Sequence, residues 1–190
     1  MSLPRSLTSR PLDLVYTLFF AFHIPISLLL DFNAIYPPKF TPAALTSLQM
    51  WYLEFTQDPL MVGIASGKGA TELMWFHSFI YMELLFQLPT FVLGIRGLTK
   101  NSPKIYPLLC LYGASTATTT LPCLLHVTQA FHANAITTAQ FSILISGYVP
   151  FLVIPLTMAI DMAFRLYGIV SAAEALQGSG TAGEKKMKQT

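Results

Sequence analysis

Asp31 lies near the end of "FHIPISLLLDFNAIYP" (residues 22–37), and Glu83 stands in the middle of "FIYMELLFQLP" (residues 79–89). Both segments are otherwise apolar enough to lie in a membrane. A charged group at the bilayer centre costs ~2.5–3.5 kcal/mol on insertion scales, so ionisable residues at that depth are neutral, paired or lining a wet cavity. Gln87 is one turn beyond Glu83, and Pro89 frees a backbone carbonyl beside them. Two chemistries fit such a pair. One is an interhelical hydrogen bond, worth ~0.6 kcal/mol on average. The other is a polar anchor in an apolar cavity, suited to a cationic or hydroxylated lipophilic ligand and able to share a proton between the two acids. On straight helices Asp31 falls roughly 6 Å from the membrane edge and Glu83 roughly 15 Å from it. Their pairing therefore requires kinks at Pro25 and Pro89, or helix ends shifted by a few residues.

The remaining acids have simpler readings. Asp13 sits beside Arg10 at a helix entrance, and Asp161 lies four residues before Arg165, where an ion pair is expected. Glu174 and Glu184 are in the tail, and Glu54, Asp58 and Glu72 are in the first loop. His23, His77, His126 and His132 show no ligand spacing and read as packing or interface residues, so no metal is expected. Cys110 and Cys123, roughly 20 Å apart along one helix, cannot bridge each other. No nucleophile elbow, zinc-protease motif or phosphate-cradling glycine loop is present. No cofactor is expected.

The elements that must position these residues follow from composition. Of 190 residues only 11% are charged and 53% are hydrophobic, against about 25% charged in soluble domains. The chain reads as an all-α membrane protein, and a net charge of +2 with no basic stripe excludes nucleic acid as a partner. Four stretches reach the roughly 20 residues a span needs, at about residues 12–35, 73–95, 105–127 and 141–164. Each contains proline, predicting four kinked, mutually packed transmembrane helices. The first could be mistaken for a signal peptide, but no small-residue cleavage site follows it.

Nine of the eleven Lys and Arg residues fall on one face: Arg5, Arg10, Arg96, Lys100, Lys104, Arg165, Lys185, Lys186 and Lys188. The positive-inside rule then places both termini in the cytosol. Residues 1–170 form the transmembrane domain, and residues 171–190, Gly/Ser-rich and then charged, are expected to be a disordered cytosolic tail. Its end, "KMKQT", matches a dilysine retrieval pattern through Lys186 and Lys188.

The first loop, lumenal on this topology, is too long for a mere connection. Thr41-Pro42 reads as an N-cap and first helical residue. Leu45, Leu48, Trp51, Tyr52 and Phe55 recur at helical spacing. A short amphipathic helix is predicted, either a lid across the bundle mouth or a helix on the lipid surface. "QDPL" reads as a turn that could aim Asp58 into the cavity. The threonine run "STATTTLP" (residues 115–122) reads as a helix-packing surface, or else as a wall of the cavity.

"HIPISLLLDFNAIYP", "MWYLEFTQDPL", "MELLFQLPTF", "TTLP" and "GYVPFLVIP", in this order and at this spacing, resemble the EXPERA family, which includes a sterol Δ8–Δ7 isomerase, emopamil-binding protein. The resemblance covers about residues 13–165. It implies a four-helix protein of the endoplasmic reticulum, often a homodimer, whose occluded cavity opens toward the bilayer and binds sterols and cationic amphiphiles. The family's two ligand-binding aspartates fall on Asp31 and Asp58, and its glutamate on Glu83, with Gln87 beside it. The cavity-lining positions fall on His23, Trp51, Tyr52, Tyr112, Thr119 and Tyr148. Phe151 departs from the pattern, which has an aromatic hydroxyl there.

A receptor-like, non-enzymatic protein of sterol homeostasis and trafficking is the expectation. The alternatives are a sterol isomerase using the intramembrane carboxylates, or a trafficking or chaperone-like partner of other membrane proteins.

Overall fold

The computed structural model describes residues 6–187. Among them there is no strand, and four helical stretches are long and apolar enough to cross a membrane: Pro11–Ala34, Met74–Thr99, Pro103–His132 and Thr138–Gln177. These are the four expected spans, the last running further at its C-terminal end. Lys188 lies outside the described residues, as does the side chain of Lys186.

The first span is α1 (Pro11–Leu29) followed by a 3-10 turn, Asp31–Ala34. Pro11 opens it, where a missing N–H costs nothing. Asp13, Tyr16, Phe20, His23 and Ser27, three or four apart, are its buried face. Leu12, Val15, Leu18 and Phe22 are exposed on the other side. Polar groups inside and apolar groups outside is the arrangement a lipid surround dictates.

The first loop contains α2 (Ala43–Thr56) and α3 (Pro59–Ala65). The amphipathic helix is present, but Thr41 does not cap it. The Thr41 hydroxyl bonds back to the Pro37 carbonyl at 3.1 Å, and Pro42 is the last non-helical residue. Gln57 takes a left-handed conformation (φ 50°) that ends α2, and Asp58 starts α3.

The second span is α4 (Met74–Met82), one wide π turn over Glu83–Gln87, and α5 (Leu88–Thr99). Pro89 has no N–H and its ring would strike the carbonyl four residues back. The turn before it widens, and the Leu88 N–H reaches the Glu83 carbonyl five residues away. Such bulges kink helices and reset which face a side chain presents.

The third and fourth spans are α6 (Tyr106–His132) and α7 (Thr138–Met187), packed antiparallel. Their closest approach is at Gly113, where an added Cβ would strike the Pro155 carbonyl oxygen and come within 2.8 Å of the Ala159 amide. Both obstacles are backbone. Gly113→Ala is therefore expected to cost about 2–3 kcal/mol, read as a melting midpoint in detergent lower by roughly 5–10 °C. Gly147→Ala is the control, because its Cβ meets nothing within 4 Å. Equal midpoints for the two variants would rule out this contact.

One hydrophobic cluster, around Tyr16, Phe20, Phe91, Leu109, Tyr112, Met158 and Met162, fills the half of the bundle nearer the termini. A second, around Phe32, Leu60, Phe76, Ile80 and Cys123, lies toward the α2–α3 end. At the termini end Asp13, 1% exposed, receives Arg10 on one carboxylate oxygen and Arg165 on the other, the latter at 2.7 Å. Arg165 also holds Asp161 at 2.7 Å, as its spacing predicts. The bridge from Asp13 to Arg165, which ties α1 to α7, has no signature in the sequence.

Candidate functional site

Between the four spans, and closed at one end by α2 and α3, lies a cavity of about 320 Å³. Among the described residues its lining contains three carboxylic acids (Asp31, Asp58 and Glu83), one histidine, and no lysine or arginine. The rest of the wall is largely apolar, from Ile26 and Leu30 on the first span, Met61 on α3, Phe76, Phe79 and Ile80 on α4, and Ile143, Leu144 and Phe151 on α7.

The first span presents His23, Ser27 and Asp31, each four residues from the next and so on one face. The π turn presents Glu83 to them. Glu83 Oε1 accepts a hydrogen bond from Ser27 Oγ and lies 3.5 Å from His23 Nε2. The imidazole is held by aromatic contacts, stacked on Phe91 at 4.6 Å and edge-on to Phe151 at 4.5 Å. Phe151 makes its ring contact with His23 without a hydroxyl.

Asp31 faces this group. One ligand-capable atom each from His23, Asp31 and Glu83 lies within 4.8 Å of the others. The structure thus brings Asp31 and Glu83 together, as expected, but the partner that grips Glu83 is Ser27. No hydrogen bond to the Asp31 carboxylate is found among the described residues. The three groups are close enough to hold one cation, a grouping that linear spacing could not reveal because it spans two helices.

Asp58 is differently placed. It is fully buried, and its Oδ1 accepts from the backbone amides of Leu60 (2.9 Å) and Met61 (3.4 Å), capping α3. Its Oδ2 accepts from the hydroxyls of Tyr52 on α2 (3.1 Å) and Tyr148 on α7 (2.9 Å). The carboxylate thereby clasps α2, α3 and α7 together over the cavity. Burial pushes the Asp58 carboxyl above the usual carboxylate range, while the bonds from Tyr148, Leu60, Tyr52 and Met61 pull it back. Burial first, and Asp58 second, hold the Tyr52 hydroxyl above its ordinary value, so it stays a donor.

The raised value at Asp58 has a signed consequence. A carboxyl with a raised folded value stabilises the fold in its protonated form, and that contribution is lost as pH rises through the raised value. The wild-type melting midpoint is expected to fall relative to that of Asp58→Asn as pH rises from about 4 toward neutrality. A constant difference across that range would contradict it.

Gln87, 5% exposed, accepts from Thr116 Oγ1 at 3.2 Å. Thr116, Thr119 and Thr120 line the cavity, so the threonine run is its wall, and the tight packing surface lies at Gly113. The Thr119 hydroxyl donates to helix carbonyls at 3.1–3.2 Å.

Of the residues expected to line the cavity, His23, Asp31, Tyr52, Asp58, Glu83, Gln87, Thr119 and Tyr148 do so. Trp51 and Tyr112 do not. Trp51 is a step of about 100° around α2 from Tyr52, and it points outward, 58% exposed and stacked on Phe55 at 5.5 Å. Tyr112 is fully buried in the aromatic cluster against Phe20 and Phe91. The α2 helix turns Tyr52 and Thr56 toward the cavity and Trp51 and Phe55 outward as an exposed aromatic face. Ser27, which bonds Glu83, was not among the expected site residues, whereas Thr116 falls in the threonine run. Ser27 had a signal, its spacing of four from both His23 and Asp31.

The family model of the EXPanded EBP superfamily, EXPERA, matches residues 44–162. Sigma intracellular receptor 2 of Homo sapiens is 31% identical over 164 residues, covering 82% of this chain and 89% of the receptor. The Xenopus tropicalis receptor of the same name is 30% identical over 162 residues, covering 82% and 90%. Efficient mitochondria targeting-associated protein 19 of Schizosaccharomyces pombe is 29% identical over 170 residues, covering 88% and 84%.

Proposed function

Because the chain belongs to the EXPERA family, we propose that it is a multi-pass, receptor-like membrane protein that binds sterols and cationic amphiphiles in the cavity between its spans. Asp31 is the anionic anchor, Glu83 its partner held by Ser27 and His23, and Asp58 the clasp that keeps the cavity closed. The observation that carries this reading is the charge of the cavity. Three acids in an apolar enclosure, with no lysine or arginine in its lining, require protons or a cation from outside. An amine on a lipophilic body supplies the cation and fills the apolar wall, and a cavity of this size and polarity is ordinary for such ligands.

The setting is the endoplasmic-reticulum membrane, with both termini cytosolic by the charge asymmetry of the loops, a tail from residue 171 carrying the retrieval pair Lys186 and Lys188, and a homodimeric assembly. The role is sterol homeostasis and trafficking. A glycosylation acceptor placed at the C-terminus tests the topology, since its modification would overturn the orientation.

The function is tested by binding a radiolabelled cationic amphiphile and a hydroxysterol to purified wild type, Asp31→Asn, Asp58→Asn and Glu83→Gln. Affinities unchanged in all three variants would remove the cavity as the ligand site.

One observation favours a second reading. His23 and Glu83 form a 3.5 Å pair inside the cavity, and a paired acid and base is what moving a sterol double bond requires. Sterol turnover by the purified protein, abolished by Glu83→Gln, would establish the enzyme in place of the receptor.

A further inference from the structure

A second polar site lies at the opposite end of the bundle from α2, where both termini emerge. It is a hollow of about 410 Å³ lined by Arg10, Pro11, Leu12, Asp13, Asn101, Tyr106 and Arg165. Among the described residues it shares no lining residue with the ligand cavity, and the proposed function does not use it. From its guanidinium donors and its position, we infer that this hollow is a seat for a phosphate ester carried by an anionic phospholipid, one lipid per chain.

The two guanidiniums set the chemistry. Each offers five N–H donors. Arg10 spends one nitrogen on Asp13 and a second on the Leu98 carbonyl at 2.8 Å, and its Nε is buried with no partner. Arg165 is braced by Asp161 and Asp13 and lies over the Tyr106 ring at 5.3 Å. Arg165 commits all three nitrogens, Nε and one terminal nitrogen to Asp161 and the other to Asp13, so the donors left open are the second hydrogens of the terminal nitrogens, held on two fixed forks in the geometry that suits a phosphate.

Among the described residues Asp13 is the one acid in the lining, with a guanidinium against each of its oxygens, and Asp161 holds Arg165 from beside it. Two helix starts add to the field. The first residues of α1 and α6, Pro11 and Tyr106, both line this hollow, and neither helix has a side-chain cap, so the positive ends of both dipoles lie near it.

A lipid is favoured over a soluble phosphate by what lies beside the hollow. Leu12, Val15, Leu18 and Phe22 form an exposed apolar ridge running down α1 from the rim. A headgroup in the hollow would lay an acyl chain along that ridge. Basic pockets between spans at the membrane surface are where anionic headgroups bind.

Native mass spectrometry of the full chain in detergent, titrated with phosphatidic acid and with phosphatidylcholine of the same acyl chains, is the test. The first phosphatidic acid is expected to bind about thirtyfold tighter, from the two arginines at the membrane surface. Removing either arginine would strand buried Asp13 and endanger the fold, so the variants leave both in place.

Asn101 has φ 52°, a conformation aspartate also tolerates, and Asn101→Asp puts a negative charge on the rim. It is expected to reduce the preference about fivefold, as is Leu12→Glu at the top of the ridge. Asn134→Asp, the same change at a left-handed position (φ 57°) in the α6–α7 connection, is expected to leave it intact.

Equal affinity for the two lipids would overturn the inference. So would a preference that survives Asn101→Asp and Leu12→Glu, or one that Asn134→Asp lowers as much. Glycerol 3-phosphate displacing phosphatidic acid at matched concentration would overturn the lipid and leave a soluble phosphate.

Discussion

Replacing Asp31 with asparagine is expected to weaken binding of a cationic amphiphile about 100-fold while a neutral hydroxysterol keeps its affinity within about threefold. Two unit charges about 4 Å apart attract by about 4 kcal/mol at the effective dielectric of a partly exposed site. Desolvation of the amine takes back part of this and leaves about 2–3 kcal/mol, the stated loss of affinity. The substitution is nearly isosteric and strands nothing, since no hydrogen bond to the Asp31 carboxylate is found among the described residues. The melting midpoint is therefore expected to hold or to rise, because a like charge facing Glu83 is gone. Competition binding against both ligands, with a melting curve on each sample, decides it. A parallel loss of cation and sterol would show Asp31 to be a structural residue, and unchanged cation affinity would remove it as the anchor.

Asp58→Ala is expected to produce the larger structural effect, a loss of about 3–5 kcal/mol with a melting midpoint lower by roughly 10 °C or more. The side chain is the common acceptor for two backbone amides and two tyrosine hydroxyls in a region excluded from water. Removing it leaves all four donors without a partner, and each buried orphan costs about 1–3 kcal/mol before relaxation. Because the clasp joins α2 and α3 to α7, cation and hydroxysterol are expected to lose affinity together. Asp58→Asn should show the same joint loss in milder form, since an amide can cap α3 with its oxygen but cannot accept from both tyrosines. That joint loss separates Asp58 from Asp31. A selective loss of the cation alone in Asp58→Asn would show that Asp58 contacts the charge directly.

These contrasting roles were not legible from the two aspartates as letters. "DFNA" and "QDPL" each present one acid near an aromatic or a proline, and both were candidates for the cavity. What distinguishes them is the count of donors around each carboxylate, and those donors come from residues far apart in the chain. Tyr148 reaches Asp58 from ninety positions away. Trp51 and Tyr52 are a similar case. Helical spacing placed both on α2, but a step of about 100° per residue sends one ring outward and one inward, and only the packed bundle shows which.

Local order alone determined the four spans, the helix in the first loop, and the acids that lie at depth. Hydropathy over some twenty residues, the prolines and the scarcity of charge are properties of contiguous segments, and the physics that reads them is the partitioning of one segment at a time. The tertiary structure decided how the acids meet. Straight helices placed Asp31 and Glu83 at different depths, and the mismatch is taken up where α1 ends at Leu29 and where the turn before Pro89 opens by one residue. One extra residue in a turn rotates everything that follows it. Which side chains converge therefore depends on the stagger and rotation of four helices against one another, and no single segment contains that information.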